Sequence, residues 1–220
     1  MTGFKNSYNI RYLRKNFYNY REWMFNQYIK GLVSVASLEE GSFLLDVGCG
    51  QGFFSYLFHK MHMKVTGIDL SETGIREARN TYGSRGINFL VGDALNTPFS
   101  IKFDCVFVRS FALYDTEDFP IKCDVTEALL SNVRRGGTFI FAYNTKLSPK
   151  KKSASWRNHT LSDVRRHFSR YPNTRIFFIS KVDALLMRKG SFNPFVTKLN
   201  MVLSENLGLG GDVVCIFRKN

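Results

Sequence analysis

The chain has 220 residues, which is enough for one well-buried domain or for a domain with an appendage. Its apolar fraction of 44% and aromatic fraction of 15% exclude an intrinsically disordered protein. We find neither the run of about 20 apolar residues that a membrane span requires nor the apolar core of a secretion signal. The four cysteines lie far apart without a CxxC pair, so we expect a reduced, cytoplasmic protein without a disulfide framework or metal site.

Positive charge is concentrated in the C-terminal half of the chain. The formal net charge is +13. Residues 120–220 contain 18 basic and 6 acidic residues, whereas residues 41–119 contain 7 basic and 9 acidic residues. A basic region of this kind favours an anionic partner, and an ordinary solvated basic surface is the alternative.

The N-terminal third of the sequence shows two different hydrophobic patterns. From residue 13 to residue 35, apolar residues recur at spacings of three and four, which predicts one long helix. From residue 43 onward, short continuous apolar runs alternate with helical patterns. Runs of this kind are typical of strands buried on both faces, and their alternation with helices predicts a parallel sheet with right-handed crossovers. The runs occupy residues 43–47, 64–68, 87–91, 103–108 and 138–143.

Three further helices are predicted in the C-terminal half. An apolar row over residues 121–135 predicts a helix that stops at Gly136. Thr160 and Asp163 have the spacing of a capping box, which marks the start of another helix. The last helix should begin at Asn193-Pro194 and continue until Gly208.

Two more apolar runs, residues 175–180 and 213–217, predict strands that complete the sheet. The fold class is therefore α/β, with a doubly wound, mostly parallel seven-stranded sheet. No linker interrupts the pattern, so we expect a helical extension or lid over residues 1–40 on a single domain of residues 41–220.

A glycine-rich loop separates the first predicted strand from the helix that follows it. Gly48, Gly50 and Gly52 permit a tight turn and allow a ligand to approach the backbone closely. Their GxGxG spacing differs from the GxGxxG of dinucleotide-binding loops. Asp46 lies just before them, where a carboxylate would repel a diphosphate but suits a ligand with a cationic amino-acid end.

Acidic residues follow the next two predicted strands. Asp69 ends the second strand, where a carboxylate can accept hydrogen bonds from both hydroxyls of a ribose. Asp93 follows the third strand, where it could bind an exocyclic amine. The alternatives are a helix N-cap for Asp69 and a turn-forming role for Asp93. Amino acid, ribose and adenine, in that order, describe S-adenosylmethionine.

Five stretches of the sequence follow one another in this order: LLDVGCGQG, VTGIDLSETGIREAR, FLVGDAL, FDCVFVRSFAL and RRGGTFIFAYN. With these motifs the chain resembles the class I S-adenosylmethionine-dependent methyltransferases over residues 43–143. The resemblance implies an enzyme that uses S-adenosylmethionine and releases S-adenosylhomocysteine. It places the glycines beneath the methionine portion, and Arg109 at the start of the segment beside the transferable methyl. The implied cofactor-binding residues are Asp46, Gly48, Cys49, Gly50, Gly52, Asp69, Leu70, Asp93, Ala94, Arg109 and, from the lid, Tyr18.

Candidates for catalysis lie near the carboxyl ends of the fourth and fifth strands. A sulfonium is already an activated methyl donor, so the protein must position the nucleophile and, for some acceptors, remove a proton. His159 is the first choice for the base because imidazole titrates near neutral pH. Tyr143 and Asp115 are the other candidates. The alternatives are a packing role for His159 and an aromatic wall for Tyr143.

Three functions are consistent with the sequence. The first is methylation of a hydroxyl or amine of a small molecule, including a sugar, glycan or other anionic acceptor. The lysine-rich residues 146–157 suggest an acceptor with a phosphate or carboxylate, and a solvated lysine cluster is the alternative. Residues 182–212 replace the short turn of the family and could mark substrate specificity or an oligomer contact. The second is RNA methylation through the basic half, although VRSF replaces the tetrad that adenine methylation uses. The third is a non-enzymatic S-adenosylmethionine-binding partner; the oligomeric state is open.

Overall fold

A computed structural model describes residues 2–119, 121–146, 159–180, 192–207 and 210–220. Helices and strands alternate through most of this sequence. Two short 3-10 helices are also present, at Gly83–Arg85 and Ala112–Tyr114. The main elements are α1 (Thr2–Arg11), α2 (Glu22–Ala36), β1 (Phe43–Val47), α3 (Phe53–His59), β2 (Lys64–Asp69), α4 (Glu72–Tyr82), β3 (Asn88–Val91), β4 (Phe103–Arg109), α5 (Asp124–Leu130), β5 (Val133–Lys146), α6 (Leu161–Phe168), β6 (Arg175–Ser180), α7 (Pro194–Leu207) and β7 (Gly210–Arg218).

The strands form one seven-stranded sheet with the order β3-β2-β1-β4-β5-β7-β6. Strands β1 to β5 pair in parallel, and β7 runs antiparallel to both β5 and β6. The predicted doubly wound, mostly parallel sheet is confirmed. The strand order reverses between β1 and β4, so the carboxyl ends of these two strands border the crevice in which α/β sheets bind ligands.

Two hydrophobic layers cover the faces of the sheet. Leu32 of α2 and Phe58 of α3 are fully buried on one face, and Leu129 of α5 and Phe168 of α6 are fully buried on the other. Burial of each such side chain contributes about 1.5–3 kcal/mol of transfer free energy. The central strands are therefore apolar on both sides, which is why their sequences read as continuous apolar runs.

The prediction of one long helix over residues 13–35 is wrong. Two helices are present, and the connection between α1 and α2 contains Asn16 and Asn19 with φ of 45° and 52°. The Asn16 side chain accepts a hydrogen bond from the backbone N–H of Tyr20 and donates one to its carbonyl. Leu13, which began the predicted apolar row, is 70% exposed. Tyr12 of this connection lies against Gly50, and Tyr20 stacks on Phe53 at the start of α3, so these side chains are held by contacts outside a continuous helix.

The predicted helix over residues 121–135 is also too long. Helix α5 ends at Leu130, and Ile121 is 68% exposed rather than part of a buried row. Val133 pairs with Phe103 and opens β5. Gly136, with φ of 72°, lies at an irregularity within this strand and donates a backbone hydrogen bond to Lys219. The glycine therefore shapes a bulge in a strand instead of terminating a helix.

Other C-terminal predictions are confirmed. Thr160 and Asp163 form a capping box at the start of α6, and α7 begins at Pro194. The predicted strands coincide with β6 and with the central part of β7. Three regions lie outside the described residues: the predicted end of α7 at Gly208, the lysine-rich residues 147–157, and residues 182–191 of the interval 182–212. Within the described part of the chain, no helix is long and apolar enough to cross a membrane, and no cluster of three potential metal ligands occurs.

Candidate functional site

A cavity of about 910 Å³ lies at the carboxyl ends of β1, β2 and β4. Its volume is within the range of about 300–1,000 Å³ that is typical of small-molecule sites. It is lined by the glycine loop, by the segments after β2, β3 and β4, and by residues from the N-terminal helices. Of the predicted cofactor-binding residues, those that line it are Tyr18, Asp46, Gly48, Cys49, Gly50, Asp69, Leu70, Asp93, Ala94 and Arg109.

The glycine loop has the backbone that its sequence predicts. Gly48, Gly50 and Gly52 have φ values of 72°, 53° and 81°, which favour glycine. A Cβ on Gly50 would lie 2.7 Å from the Tyr12 hydroxyl, and one on Gly52 would lie 2.8 Å from the Phe89 ring. Gly52 is not among the described residues that line the cavity. Its lack of a side chain instead leaves room for Phe89 inside the fold. Of the three loop glycines, Gly48 and Gly50 line the cavity.

Asp69 ties the glycine loop to the end of β2. Its carboxylate accepts backbone hydrogen bonds from Gly50 and Ser71, both at 2.8 Å. Burial raises the pKa of Asp69, and the two N–H donors oppose this effect. The N-cap of α4 is Ser71, whose hydroxyl accepts a hydrogen bond from Gly74. Asp69 therefore does not serve as the helix cap, and each of its oxygens retains a lone pair that can accept from a ligand.

The other two acids have different surroundings. Asp46 is 2% exposed, and its carboxylate accepts a hydrogen bond of 2.6 Å from the Ser55 hydroxyl on α3. Burial raises the pKa of Asp46 to about 7. Asp93 accepts hydrogen bonds from the backbone of Leu95 and the side chain of Asn96, as expected for a turn-forming residue. It also lines the cavity, so its role in the turn is compatible with the predicted binding of an amine.

The N-terminal segment (residues 2–21) is fastened to the glycine loop by Gln51. The Gln51 amide donates hydrogen bonds to the carbonyl oxygens of Tyr12 and Arg14, at 3.3 and 2.9 Å, and accepts one of 2.9 Å from the N–H of Phe17. Tyr12 is 5% exposed and lies directly on Gly50. Sequence analysis missed both Gln51 and Tyr12. The signal available was a side-chain amide between two loop glycines, which can both donate and accept.

Aromatic side chains form most of the remaining wall. Tyr20 stacks on Tyr18 and on Phe53, with ring centroids 5.4 and 5.1 Å apart. Phe54 packs edge-on against the same Tyr20 ring. The aromatic lining comprises Tyr8, Tyr12, Tyr18, Tyr20, Phe25, Phe53, Phe54, Tyr56, Tyr82 and Phe111.

Tyr143, Asp115 and His159, the three residues predicted for catalysis, lie together in a hydrogen-bonded network. The Tyr143 hydroxyl donates to Asp115 at 2.7 Å and accepts from the backbone N–H of His159 at 3.2 Å. The Nε2 atom of His159 lies 2.7 Å from the carbonyl oxygen of Thr116, so it carries the proton. Burial raises the pKa of Asp115 to about 6, against the hydrogen bond from Tyr143. The three are not among the described lining residues, and Tyr143 and His159 are 3% and 1% exposed.

A buried ion pair at the ends of β4 and β7 completes the site. The Arg109 guanidinium donates to Asp212 at 2.7 Å, and the Asn144 amide donates to the second oxygen of Asp212 at 3.2 Å. The side chains of Arg109 and Asp212 are 9% and 10% exposed. The guanidinium also lies 5.1 Å from the centre of the Phe54 ring. Burial acts to lower the pKa of Arg109, but Asp212 and two nearby phenols raise it further, so the side chain stays cationic.

Comparison with known proteins gives a consistent result. A family model described as "Methyltransferase domain" matches residues 38–182. The chain is 36% identical over 121 residues to the fatty-acid O-methyltransferase of Mycolicibacterium smegmatis, which covers 53% of this chain and 41% of that protein. It is 26% identical over 146 residues to the malonyl-[acyl-carrier protein] O-methyltransferase of Serratia marcescens, which covers 66% and 54%. The chain thus spans about half the length of these relatives.

The fold comparison covers nearly the whole chain. A solved S-adenosylmethionine-dependent methyltransferase from Clostridium acetobutylicum superimposes with a TM-score of 0.61 at 14% identity, covering 98% of both chains. At this identity the similarity establishes a shared fold. Because the family model matches more than half of the residues, and the sheet has the fold of that family, the chain belongs to the class I S-adenosylmethionine-dependent methyltransferases, and it is an enzyme of that family.

Proposed function

We propose that this enzyme transfers a methyl group from S-adenosylmethionine to an oxygen atom of an apolar, acyl-type acceptor. The observation that carries the proposal is the lining of one cavity, which combines the glycine loop and three acids with ten aromatic side chains. Aromatic and apolar walls suit an acceptor that leaves water on binding. The two relatives described above are named for a fatty acid and for a malonyl group on a carrier protein.

The residues present fit the cofactor. Gly48 and Gly50 leave the loop free of side chains, so the methionine portion can lie against the backbone. Asp69 has carboxylate lone pairs available for the ribose hydroxyls, and Asp93 lies where it would bind the adenine amine. Asp46 would lie near the ammonium of the methionine portion. Leu70, Ala94, Cys49 and Tyr18 would complete the contacts, as the sequence predicts.

The cofactor supplies a methyl group that the sulfonium has already activated. The protein must hold the acceptor oxygen in line with that methyl and exclude water, and positioning alone can lower the barrier by about 7–11 kcal/mol. The aromatic wall around Tyr20 would exclude water and face the sulfonium, which favours ring faces.

A hydroxyl acceptor would in addition need a proton acceptor. The network of Tyr143, Asp115 and His159 remains the candidate group for that task. Its support is its proximity in the chain to the cavity wall, because Phe111, Ala112 and Leu113, just before Asp115, line the cavity. Asp115, with a pKa of about 6, is the member best suited to receive a proton.

The proposal narrows the acceptors expected from the sequence. Neither of the relatives named above is described as acting on RNA, on a glycan or on an amine. A cavity with ten aromatic side chains in its lining also fits a small apolar group better than a charged polymer backbone.

The test is to incubate the purified protein with tritium-labelled S-adenosylmethionine and a cell extract separated into lipid, small-molecule, glycan, protein and RNA fractions. The proposal predicts label in molecules that partition into organic solvent. Label confined to the RNA fraction, with binding that falls steeply as salt rises, would establish the second candidate instead.

A further inference from the structure

Arg109 is a deeply buried cation in the wall of the cavity. Among the described lining residues, the basic side chains are Lys15 and Arg109. Lys15 is exposed, whereas the side chain of Arg109 is 9% exposed. The Nε atom of Arg109 is buried and has no hydrogen-bond partner within the part of the chain that the structure describes, while the phenols of Tyr20 and Tyr28 interact with the same guanidinium. The guanidinium therefore has donor capacity that Asp212 does not use.

The ion pair of Arg109 and Asp212 lies close to the glycine loop. Arg109 ends β4, and Asp212 pairs in register with Asn144 near the end of β5. The guanidinium packs on Phe54, in the first turn of α3, directly after the loop. Charges buried in this way cost desolvation free energy that an apolar pair would avoid, so stability alone does not account for them. A cation held beside a ligand cavity by an acid is suited to binding an anion.

We propose that Arg109 binds the carboxylate of the methyl acceptor, with Asp212 holding the guanidinium in place, so that the reaction is the methylation of a carboxyl group. This rests on the proposed function and names its substrate class. Arginine presents a planar fork of N–H donors that matches a carboxylate. The fork would hold the carboxylate through its oxygens, and a remaining lone pair on one of them would be directed at the methyl carbon.

The chemistry balances without a base. A carboxylate oxygen forms a bond to the methyl carbon, the bond between that carbon and sulfur breaks, and its electron pair stays on sulfur. The products are a methyl ester and neutral S-adenosylhomocysteine, and no proton is transferred. A carboxylate is already ionised at neutral pH. This agrees with the position of Tyr143, Asp115 and His159 behind the wall rather than among the described lining residues.

The cofactor carries a carboxylate of its own, on its methionine portion, which the same guanidinium chemistry would recognise. Loss of Arg109 has different effects in the two cases. If Arg109 binds the carboxylate of the acceptor, its loss lowers methyl transfer while S-adenosylhomocysteine binds normally. If Arg109 binds the carboxylate of the cofactor, its loss lowers the affinity for S-adenosylhomocysteine but not for 5′-methylthioadenosine, which lacks the amino-acid portion.

The experiment labels a lipid and small-molecule extract with tritiated S-adenosylmethionine and treats the products with mild alkali. Methyl esters release volatile methanol under these conditions, whereas methyl ethers and methylamines are stable. The wild-type enzyme should give mainly alkali-labile label. Arg109→Gln should reduce this label about 50-fold or more at subsaturating acceptor, with the affinity for S-adenosylhomocysteine within about threefold of wild type.

Matched variants separate this role from a structural one. Arg134→Gln breaks another arginine–aspartate pair, which Arg134 of β5 forms with Asp104 at the opposite end of β4 from Arg109. This variant should leave labelling unchanged. Asp212→Asn removes the charge that holds the guanidinium in place and should lower labelling, but by clearly less than Arg109→Gln, because the cation that would bind the carboxylate is still present. Arg109→Lys keeps the positive charge and serves as the test if Arg109→Gln does not fold. It should lower labelling about tenfold, because lysine lacks the planar fork of N–H donors.

The outcomes are distinct. Alkali-stable label would overturn the carboxylate assignment and leave the proposed function intact. No label in any fraction would overturn both. Equal losses in Arg109→Gln and Asp212→Asn, or a parallel loss of affinity for S-adenosylhomocysteine, would also overturn the acceptor role of Arg109.

Discussion

The side chain of Gln51 binds the backbone of Arg14, with 2.9 Å between the Gln51 amide nitrogen and the Arg14 carbonyl oxygen. This contact joins the glycine loop to the N-terminal segment, which contributes Tyr8, Tyr12 and Tyr18 to the cavity wall. We expect opening of this contact to ease the exit of a ligand, because the segment forms part of the cavity wall. Gln51 thus couples the loop that would bind the cofactor to the segment that covers it.

Gln51→Ala should accelerate the dissociation of S-adenosylhomocysteine about tenfold. The substitution removes three hydrogen bonds, each with a net contribution of about 0.5–1.5 kcal/mol. Stopped-flow measurement of the tyrosine and tryptophan fluorescence would give the rate. Gln27→Ala on the exposed surface of α2 is the control. Equal dissociation rates in the two variants would show that the segment does not retain the ligand.

Gly50→Ala should abolish the binding of S-adenosylhomocysteine, because its Cβ would lie 2.7 Å from the Tyr12 hydroxyl at the cavity wall. Gly86→Ala is a matched control, since Gly86 also has a positive φ but has open space around it. Both variants should lose about 1–2 kcal/mol of stability through backbone strain. Titration calorimetry separates them: binding that survives in Gly50→Ala would place the ligand elsewhere.

Asp46 should make the protein less stable as pH rises. Its pKa is about 7 in the folded protein and near 3.8 unfolded, so the folded state holds the proton more tightly. This contribution to stability is complete below pH 4 and is lost as pH rises to 7. Asp46→Asn removes the dependence and can keep the Ser55 hydrogen bond.

Urea unfolding at pH 5 and pH 8 tests this directly. The stability of Asp46→Asn relative to wild type should increase by about 2 kcal/mol between the two values. Asp118→Asn, on the exposed surface, should follow wild type. Parallel pH profiles for wild type and Asp46→Asn would contradict the burial of a titrating Asp46.

Tyr143→Phe tests whether the buried network takes part in catalysis. The variant loses the hydrogen bond to Asp115 and should be less stable by about 1 kcal/mol. If the acceptor is a carboxylate, turnover at saturating substrates should change by no more than about threefold, because no base is needed. A fall of about 100-fold, with normal binding of both substrates, would establish the catalytic role predicted from the sequence.

The sequence predicted those features that depend on local patterns. Continuous apolar runs located the strands because both faces of the sheet are covered, and the glycine spacing identified the loop because its φ values admit little else. The N-terminal helix was wrong because Asn16 and Asn19 adopt positive φ, which a period of 3.6 does not reveal. The Arg109–Asp212 pair joins residues 103 positions apart, and no local pattern indicates it.

The central claim is that the glycine-loop cavity binds the cofactor through its ribose at Asp69. Titration calorimetry of the wild-type chain and of Asp69→Ala with S-adenosylhomocysteine and 5′-methylthioadenosine tests it most directly. The account predicts saturable one-to-one binding of both ligands to wild type and at least a roughly tenfold weakening of both in Asp69→Ala, which lacks the acceptor for the ribose hydroxyls. No binding to wild type, or equal affinity in the variant, would contradict it.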